Sequence, residues 1–267
     1  MASSLFEPKA ACKALTPQQQ ECWNNNGYVL LEGVYNEVML QRLRAESDAV
    51  IERARQAAQN PSFLWQGSWL ADEDRKSLDI NGVHDPEYHS AVFLEAMMSP
   101  RLLDPIEDIL GPNIQVHHAK LIVKPPSKGA PFPMHQDYPY FPHANHTMIA
   151  CSVHMDDSSE ENGCLRVVPG SHKLGPLPTQ PDGDYLSPDE YPVEEALALP
   201  ARAGDVLVFS YLTIHGSGHN LSDRPRRNVL FQLRDPADSP TEDKHKSRGQ
   251  GLILRGINPV YESTVLS

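Results

Sequence analysis

Residues Gln115 to Val123 read QVHHAKLIV, and they give the first indication of the fold. They form a short, mainly apolar run with turn residues on both sides, Gly111-Pro112-Asn113 before it and Lys124-Pro125-Pro126 after it. Similar runs follow it at Thr147 to Met155, Cys164 to Val168, Asp205 to Phe209 and Asn228 to Leu233. Short strands separated by turn residues are typical of an all-β barrel or sandwich. The sequence therefore predicts a β core after Gly111.

The residues before Gly111 predict helices instead. Thr16 followed by Pro17 is an N-cap with a proline in the first turn, which starts a helix. Apolar residues recur at helical spacing in the segments that follow. The expected helices run from Thr16 to about Asn26, from about Asn36 to Gln59 and, with a break at Ser99-Pro100, from about His89 to Leu110. We predict a single domain over residues 1–267, with bracing helices in about 1–110 and a barrel core in about 111–255.

Composition argues against several classes of protein. The 267 residues carry a formal net charge of −12, which disfavours a nucleic-acid surface. No apolar run approaches the roughly 18 residues that span a bilayer, so a membrane partner is not expected. The four cysteines lack CxxC spacing and no apolar leader precedes them, which favours thiols in a reducing compartment. An intracellular, cytoplasmic location is the expectation.

A metal site is indicated by His135-Gln136-Asp137 together with His215. Alternate residues of an extended segment point to the same side, so His135 and Asp137 could meet one metal ion. His215 follows the apolar run that ends at Phe209 and completes a set of two histidines and one carboxylate. This set is the facial triad of non-haem Fe(II), which keeps three coordination positions open. A structural zinc site is normally closed by four protein ligands. A catalytic zinc site with these three ligands is chemically possible, so the ligand types alone do not decide which metal binds.

An arginine cluster, Arg224-Pro225-Arg226-Arg227, precedes the run that begins at Asn228. An arginine that rises from a barrel strand can hold a carboxylate through two parallel charge-assisted hydrogen bonds. A dicarboxylate co-substrate requires such a residue. A solvated basic cluster at the entrance to a strand is the alternative interpretation.

Several motifs in order resemble the phytanoyl-CoA dioxygenase family over roughly Gly111 to Asp235. They are Gly111-Pro112-Asn113, Lys124-Pro125-Pro126, His135-Gln136-Asp137, Asn162-Gly163-Cys164-Leu165, Pro169-Gly170-Ser171-His172-Lys173, Gly204-Asp205 and His215-Gly216-Ser217-Gly218. The resemblance implies a mainly β fold with flanking helices, built on a double-stranded β-helix, the cupin-like jelly roll. It also implies that His135, Asp137 and His215 hold Fe(II).

The same resemblance implies a binding site for 2-oxoglutarate. Arg226, eleven positions after His215, matches the family's arginine for the distal carboxylate, and Ser217 matches a hydroxyl beside it. Arg224 and Arg227 are the alternatives if the spacing differs. Lys120 is a further candidate for the co-substrate or the substrate, with an exposed strand face as the alternative. Gln136 is kept only as a group behind the metal ligands.

The implied function is an Fe(II)- and 2-oxoglutarate-dependent dioxygenase that consumes O2, with ascorbate in a supporting role. It would hydroxylate, desaturate or cyclise a small to medium organic metabolite and release succinate and CO2. Related halogenases carry a small residue in place of the carboxylate that this chain has at Asp137. The alternatives are a non-catalytic metal-binding barrel that serves as a binding or regulatory module, and a zinc hydrolase or isomerase.

Aromatic residues supply candidates for the substrate pocket. Tyr138 and Tyr140, with Phe141, follow the metal motif directly, although packing in the core explains them equally well. Trp65 and Trp69 lie in the segment Pro61 to Arg75, which is expected to be irregular. That segment and the acidic, proline-rich stretch Pro176 to Pro200, expected to be a surface insertion, are the predicted determinants of the substrate. Substrate identity and oligomeric state do not follow from the sequence.

Overall fold

The structure is a computed structural model that describes residues 14–56, 81–127, 129–244 and 246–260. The segment Pro61 to Arg75, and with it Trp65 and Trp69, lies outside the described residues, so these two substrate-pocket candidates stay predictions. No helix among the residues described is long and apolar enough to cross a membrane.

The described α-helices lie in the N-terminal part, where the sequence predicts them. They are α1 (Pro17–Asn26), α2 (Glu37–Gln56), α3 (Ala91–Met97) and α4 (Pro100–Leu110). The Thr16 side chain accepts a hydrogen bond from the Gln19 amide, and the Gln19 side chain accepts one from the Thr16 amide, which completes a capping box. Helix α1 ends at Gly27, whose φ of 76° is a left-handed conformation that glycine adopts without strain.

Two antiparallel sheets form the β core. The strands are β1 (Tyr28–Leu31), β2 (Asn81–His84), β3 (Ile114–Lys124), β4 (Phe132–His135), β5 (Ile149–His154), β6 (Leu165–Val167), β7 (Leu197–Leu199), β8 (Val206–Ser210), β9 (His215–Ser217), β10 (Arg226–Arg234) and β11 (Ile253–Arg255). The major sheet has the order β1-β8-β5-β10-β3-β11, with β2 also paired to β3. The minor sheet has the order β4-β9-β6-β7.

Each face of the major sheet packs against a different partner. Side chains such as Val208, Leu121 and Phe231 share a core with Trp23 of α1 and with residues of the other helices. On the opposite face, Phe209 and its neighbours pack with residues of β6 and β7 in the minor sheet. Helices therefore cover the outer face, and a β sandwich forms the interior. This arrangement is a jelly-roll core, which confirms the predicted fold class and the bracing role of the helices.

The stretch Pro176 to Pro200 is more ordered than a surface insertion would require. Leu186 is buried and packs with Met134 of β4 and with Ile214. The last residues of the stretch form β7, which pairs with β6. The insertion thus lies over the minor sheet and contributes its edge strand.

Candidate metal and co-substrate site

The three side chains predicted as metal ligands lie together in the structure. Strands β4 and β9 pair so that His135 is the direct partner of His215, and their ring centroids are 4.2 Å apart. Asp137 Oδ1 lies 3.6 Å from His135 Nε2 and 3.7 Å from His215 Nε2. One ligand atom from each residue fits within 4.8 Å of the others. The arrangement is that of a facial triad.

The expectation that His135 and Asp137 share one extended segment is wrong for Asp137. Strand β4 ends at His135, and Asp137 has φ −75° and ψ −18° at the start of a short 3-10 helix, Tyr138–Tyr140. The Asp137 amide donates to the Tyr211 carbonyl at 2.9 Å. A turn anchored on the segment after β8, and not strand alternation, brings the carboxylate to the two imidazoles.

The same hydrogen-bond pattern fixes the tautomer of both histidines. His135 Nδ1 lies 2.9 Å from the Pro133 carbonyl oxygen, and His215 Nδ1 lies 2.9 Å from the Thr213 carbonyl oxygen. A carbonyl oxygen only accepts, so each Nδ1 carries the proton and donates it. Each Nε2 is then left with a lone pair that faces the Asp137 carboxylate. This is the tautomer that binds a metal through Nε2.

Electrostatics at the triad suit a divalent cation. Burial opposes ionisation of Asp137, but His215, His135 and the Gln232 amide outweigh it and lower the pKa of the carboxyl to about 2. Burial and the neighbouring His135 lower the pKa of His215 to about 4. At neutral pH the site therefore offers a carboxylate and a neutral His215 imidazole, which are the forms that bind a metal.

A cavity of about 270 Å³ lies between the two sheets and contains the triad. Arg226 lines it as the first residue of β10, and the side chain is only 4% exposed. Burial lowers the pKa of Arg226 to about 10, and Nε has no hydrogen-bond partner. A buried guanidinium with an unsatisfied donor inside a cavity fits a carboxylate ligand.

The two alternative arginines lie elsewhere. The Arg224 side chain is 84% exposed beside Asp223. Arg227 points to the opposite face of the sheet, where it pairs with Asp156 at 2.9 Å and with Asp48 of α2 at 3.1 Å. Only Arg226, of these three, lines the cavity.

Ser217 and Lys120 also line the cavity, as their candidacy requires. Ser217 Oγ accepts a hydrogen bond from Lys124 Nζ at 2.7 Å. Lys124 is fully buried, pairs in register with Arg226 and also donates to the Gly218 carbonyl. Burial, with Asp137 acting in the opposite direction, lowers the pKa of Lys120 to about 8. Lys124 was not among the predicted site residues, although it lies on the same face of β3 as Lys120.

The described aromatic candidates lie in two different places, some in the cavity wall and one outside it. Tyr140 and Phe141 line the cavity, and the Tyr140 ring centroid lies 6.2 Å from that of His135. Tyr138 packs instead against Tyr211 and His146, at 5.6 and 5.5 Å between ring centroids. Several polar residues of the cavity wall were not among the predicted site residues, namely His84, His118, Ser152, Asn228 and Gln232.

Two facing sheets with an open two-histidine, one-carboxylate triad and a buried arginine define a class of enzyme, the iron- and 2-oxoglutarate-dependent oxygenases. Within that class, the model of the phytanoyl-CoA dioxygenase (PhyH) family matches residues 23–228. The chain belongs to this family.

Two relatives are named as dioxygenases, and a solved structure shares the fold. The chain is 28% identical over 240 residues to the peroxisomal phytanoyl-CoA dioxygenase of Mus musculus, covering 80% of this chain and 67% of that protein. It is also 28% identical over 240 residues to the ectoine dioxygenase of Bordetella parapertussis, covering 82% and 75%. The structure of EctD from S. alaskensis with 2-oxoglutarate and 5-hydroxyectoine superimposes with a TM-score of 0.75 at 20% identity, covering 95% of this chain and 91% of that one.

Proposed function

We propose that the protein uses Fe(II), 2-oxoglutarate and O2 to hydroxylate, desaturate or cyclise a small to medium organic metabolite, with succinate and CO2 as co-products. The observation that carries the proposal is the triad of His135, Asp137 and His215 in one cavity with the buried Arg226. Both imidazoles present Nε2, and the set leaves three of six positions for other ligands. Ascorbate would support turnover by keeping iron in the ferrous state.

The co-substrate would lie between the triad and Arg226. The guanidinium would donate to the distal carboxylate of 2-oxoglutarate, and Nε would gain the partner that it lacks. Ser217 Oγ already accepts from Lys124, so its own proton is free to be donated to the same carboxylate. Lys124 therefore positions the hydroxyl, while its burial and the nearby charge of Arg226 lower the pKa of its amino group.

When bound, iron and 2-oxoglutarate supply the oxidising power for attack on an unreactive carbon. The chain's own part is to orient the reactants and to exclude water. Leu165, Phe209 and Leu230 give the cavity apolar walls, while Tyr140 and Phe141 lie beside the metal motif. At about 270 Å³ the cavity is small beside the roughly 300–1,000 Å³ of typical ligand pockets, which favours a compact substrate.

Succinate formation tests the proposal directly. Purified protein with Fe(II), ascorbate, O2 and 2-oxoglutarate should release succinate, and a mixed metabolite extract should raise the rate. His135→Ala, Asp137→Ala and His215→Ala should each abolish the activity and weaken Fe(II) binding, because each removes one of three protein ligands. His146→Ala is the matched control, since this histidine contacts Tyr211 and Tyr138 outside the triad.

Two results would contradict the proposal in different ways. Full Fe(II) affinity in any one of the three triad variants would remove that residue from the ligand set. Tight Fe(II) and 2-oxoglutarate binding without succinate, in the presence and absence of extract, would favour a binding module that uses the same fold without turnover.

A further inference from the structure

Gln232 makes a direct contact with one oxygen of the triad carboxylate. Its Nε2 donates to Asp137 Oδ2 at 2.7 Å, and the side chain lines the cavity at 1% exposure. The other carboxylate oxygen, Oδ1, is the one that lies 3.6 and 3.7 Å from the two histidine Nε2 atoms. The two carboxylate oxygens thus have different partners: Oδ1 faces the metal position, and Oδ2 accepts a hydrogen bond from the Gln232 amide.

The orientation of the amide follows from its partner. A carboxylate accepts hydrogen bonds and does not donate, so the NH2 group of Gln232 must face Asp137. The amide oxygen then points away, and it has no hydrogen-bond partner. A buried carbonyl without a donor is unfavourable for folding, and an apolar side chain of similar size would avoid that cost. The contact with Asp137 is therefore better explained by the site than by stability.

The number of coordination positions on the metal explains why the hydrogen bond between Gln232 and Asp137 would matter. A carboxylate with both oxygens free can bind a metal through one or both of them. Chelating 2-oxoglutarate takes two positions and O2 needs a third, so the protein can occupy only three of six. A second bond from Asp137 would fill the position that O2 requires.

We propose that Gln232 is a positioning residue that holds Asp137 in one-oxygen coordination and so keeps the third position open. The inference rests on the proposed function. Strand β10 would then serve both ends of the cavity, with Arg226 at the co-substrate carboxylate and Gln232, on the same face of the strand, at the metal carboxylate.

Gln232→Met removes the amide with little change of volume. Gln115→Met is the matched control, because Gln115 is also a buried strand glutamine with one donated hydrogen bond, to the Gly251 carbonyl, and an unpartnered amide oxygen. It lies opposite Arg234 on β3, outside the cavity lining. Any general effect of replacing such a glutamine should appear equally in both variants.

Nitric oxide, a stand-in for O2 with a characteristic EPR signal on ferrous iron, reports the open position without turnover. In Gln232→Met loaded with Fe(II) and 2-oxoglutarate, we expect affinity for nitric oxide to fall by roughly tenfold or more. Affinity for 2-oxoglutarate should change little, since Arg226 is intact. Gln115→Met should match the wild type in both measurements.

Each other outcome has a distinct meaning. Equal nitric oxide affinity in Gln232→Met and the wild type would overturn the role of Gln232 and leave the proposed function standing. Equal losses in Gln232→Met and Gln115→Met would also overturn it, because the effect would then be structural. A wild-type protein that binds neither Fe(II) nor 2-oxoglutarate would contradict the proposed function itself.

Discussion

Arg226 lies inside the cavity because β10 directs alternate side chains to opposite faces of the major sheet. Its neighbour Arg227 points to the helices and pairs with Asp156 and Asp48. Arg224 precedes the strand and is exposed. Three arginines within four positions therefore have three different environments. Strand alternation excludes Arg227 from the site, and the exposure of Arg224 excludes Arg224, which leaves Arg226.

Arg226→Leu should weaken 2-oxoglutarate binding by about 3 kcal/mol, roughly a hundredfold in Kd, because two charge-assisted hydrogen bonds are lost. Isothermal titration of the Fe(II)-loaded protein measures the change. Arg224→Leu, at the exposed position, should leave the Kd within about twofold of the wild type. A hundredfold loss in Arg224→Leu, with none in Arg226→Leu, would exchange the two roles.

Some site residues could be predicted from sequence because their types are diagnostic. Two histidines and an aspartate at motif spacing indicate a metal, and an arginine on a strand indicates a carboxylate. Lys124 and Gln232 carry no such signal, since each acts through a hydrogen bond to another site residue. Their even spacing from Lys120 and Arg226 on the same strands is the pattern that could have found them.

At the scale of elements, Gln136 joins the metal motif to the insertion over the minor sheet. Its side chain is buried and points away from the triad, as the sequence suggested. Nε2 donates to the carbonyls of Gly175 and Leu212 at 2.9 and 2.7 Å, and Oε1 accepts from the Leu177 amide at 2.9 Å. One side chain thus connects β4, the start of the insertion and the segment before β9.

Gln136→Met should destabilise the fold by about 2–3 kcal/mol, because buried backbone groups lose their partners. Guanidinium unfolding measures the free energy, and hydrogen exchange at the Leu177 amide should accelerate. Tyr185→Phe is the control within the insertion, since it removes an exposed hydrogen bond to Asp182 and should change stability by no more than about 0.5 kcal/mol. Unchanged exchange at Leu177 in Gln136→Met would show that other contacts hold the insertion.

The strands that carry the metal ligands were not among the apolar runs from which the β core was predicted. Strand β4 contains Pro133, and β9 has Gly216 at its centre, so neither resembles a β-branched apolar run. Their pairing depends on long-range contacts that a local pattern does not contain. Gly216 is needed there because an added Cβ would lie 2.7 Å from the Phe132 carbonyl oxygen. The predicted apolar runs, which local pattern does describe, correspond to β3, β5, β8 and β10 of the major sheet and to β6 of the minor sheet.

At the scale of the whole molecule, buried histidines link folding to pH. Burial lowers the pKa of His154 to about 3, and the pKa values of His172 and His215 to about 4, from an ordinary 6.5. The native state leaves these side chains neutral where the unfolded chain would protonate them. Stability is therefore fully present above about pH 6.5 and is lost as the pH falls toward 4. Burial raises the pKa of Glu87 to about 7 and acts in the opposite direction, but one carboxyl offsets only one of the three histidines.

We expect the metal-free protein to lose at least about 1 kcal/mol of unfolding free energy between pH 7 and pH 5. Denaturant titrations at the two pH values measure it. His154→Leu should reduce the pH dependence, because it removes one of the protons that the unfolded chain takes up. A free energy that is equal at both pH values, or higher at pH 5, would contradict the expectation.

The two histidines lie on the minor sheet, whereas Arg226 lies on the major sheet. A metal ion with its chelated dicarboxylate would therefore connect the two sheets of the sandwich, because it would bind residues of both. Ligand binding and folding are then coupled by mass action, since only the assembled sandwich offers both halves of the site. Scarcity of iron or of the co-substrate would leave the layers less firmly joined and the chain more open to thermal unfolding and proteolysis.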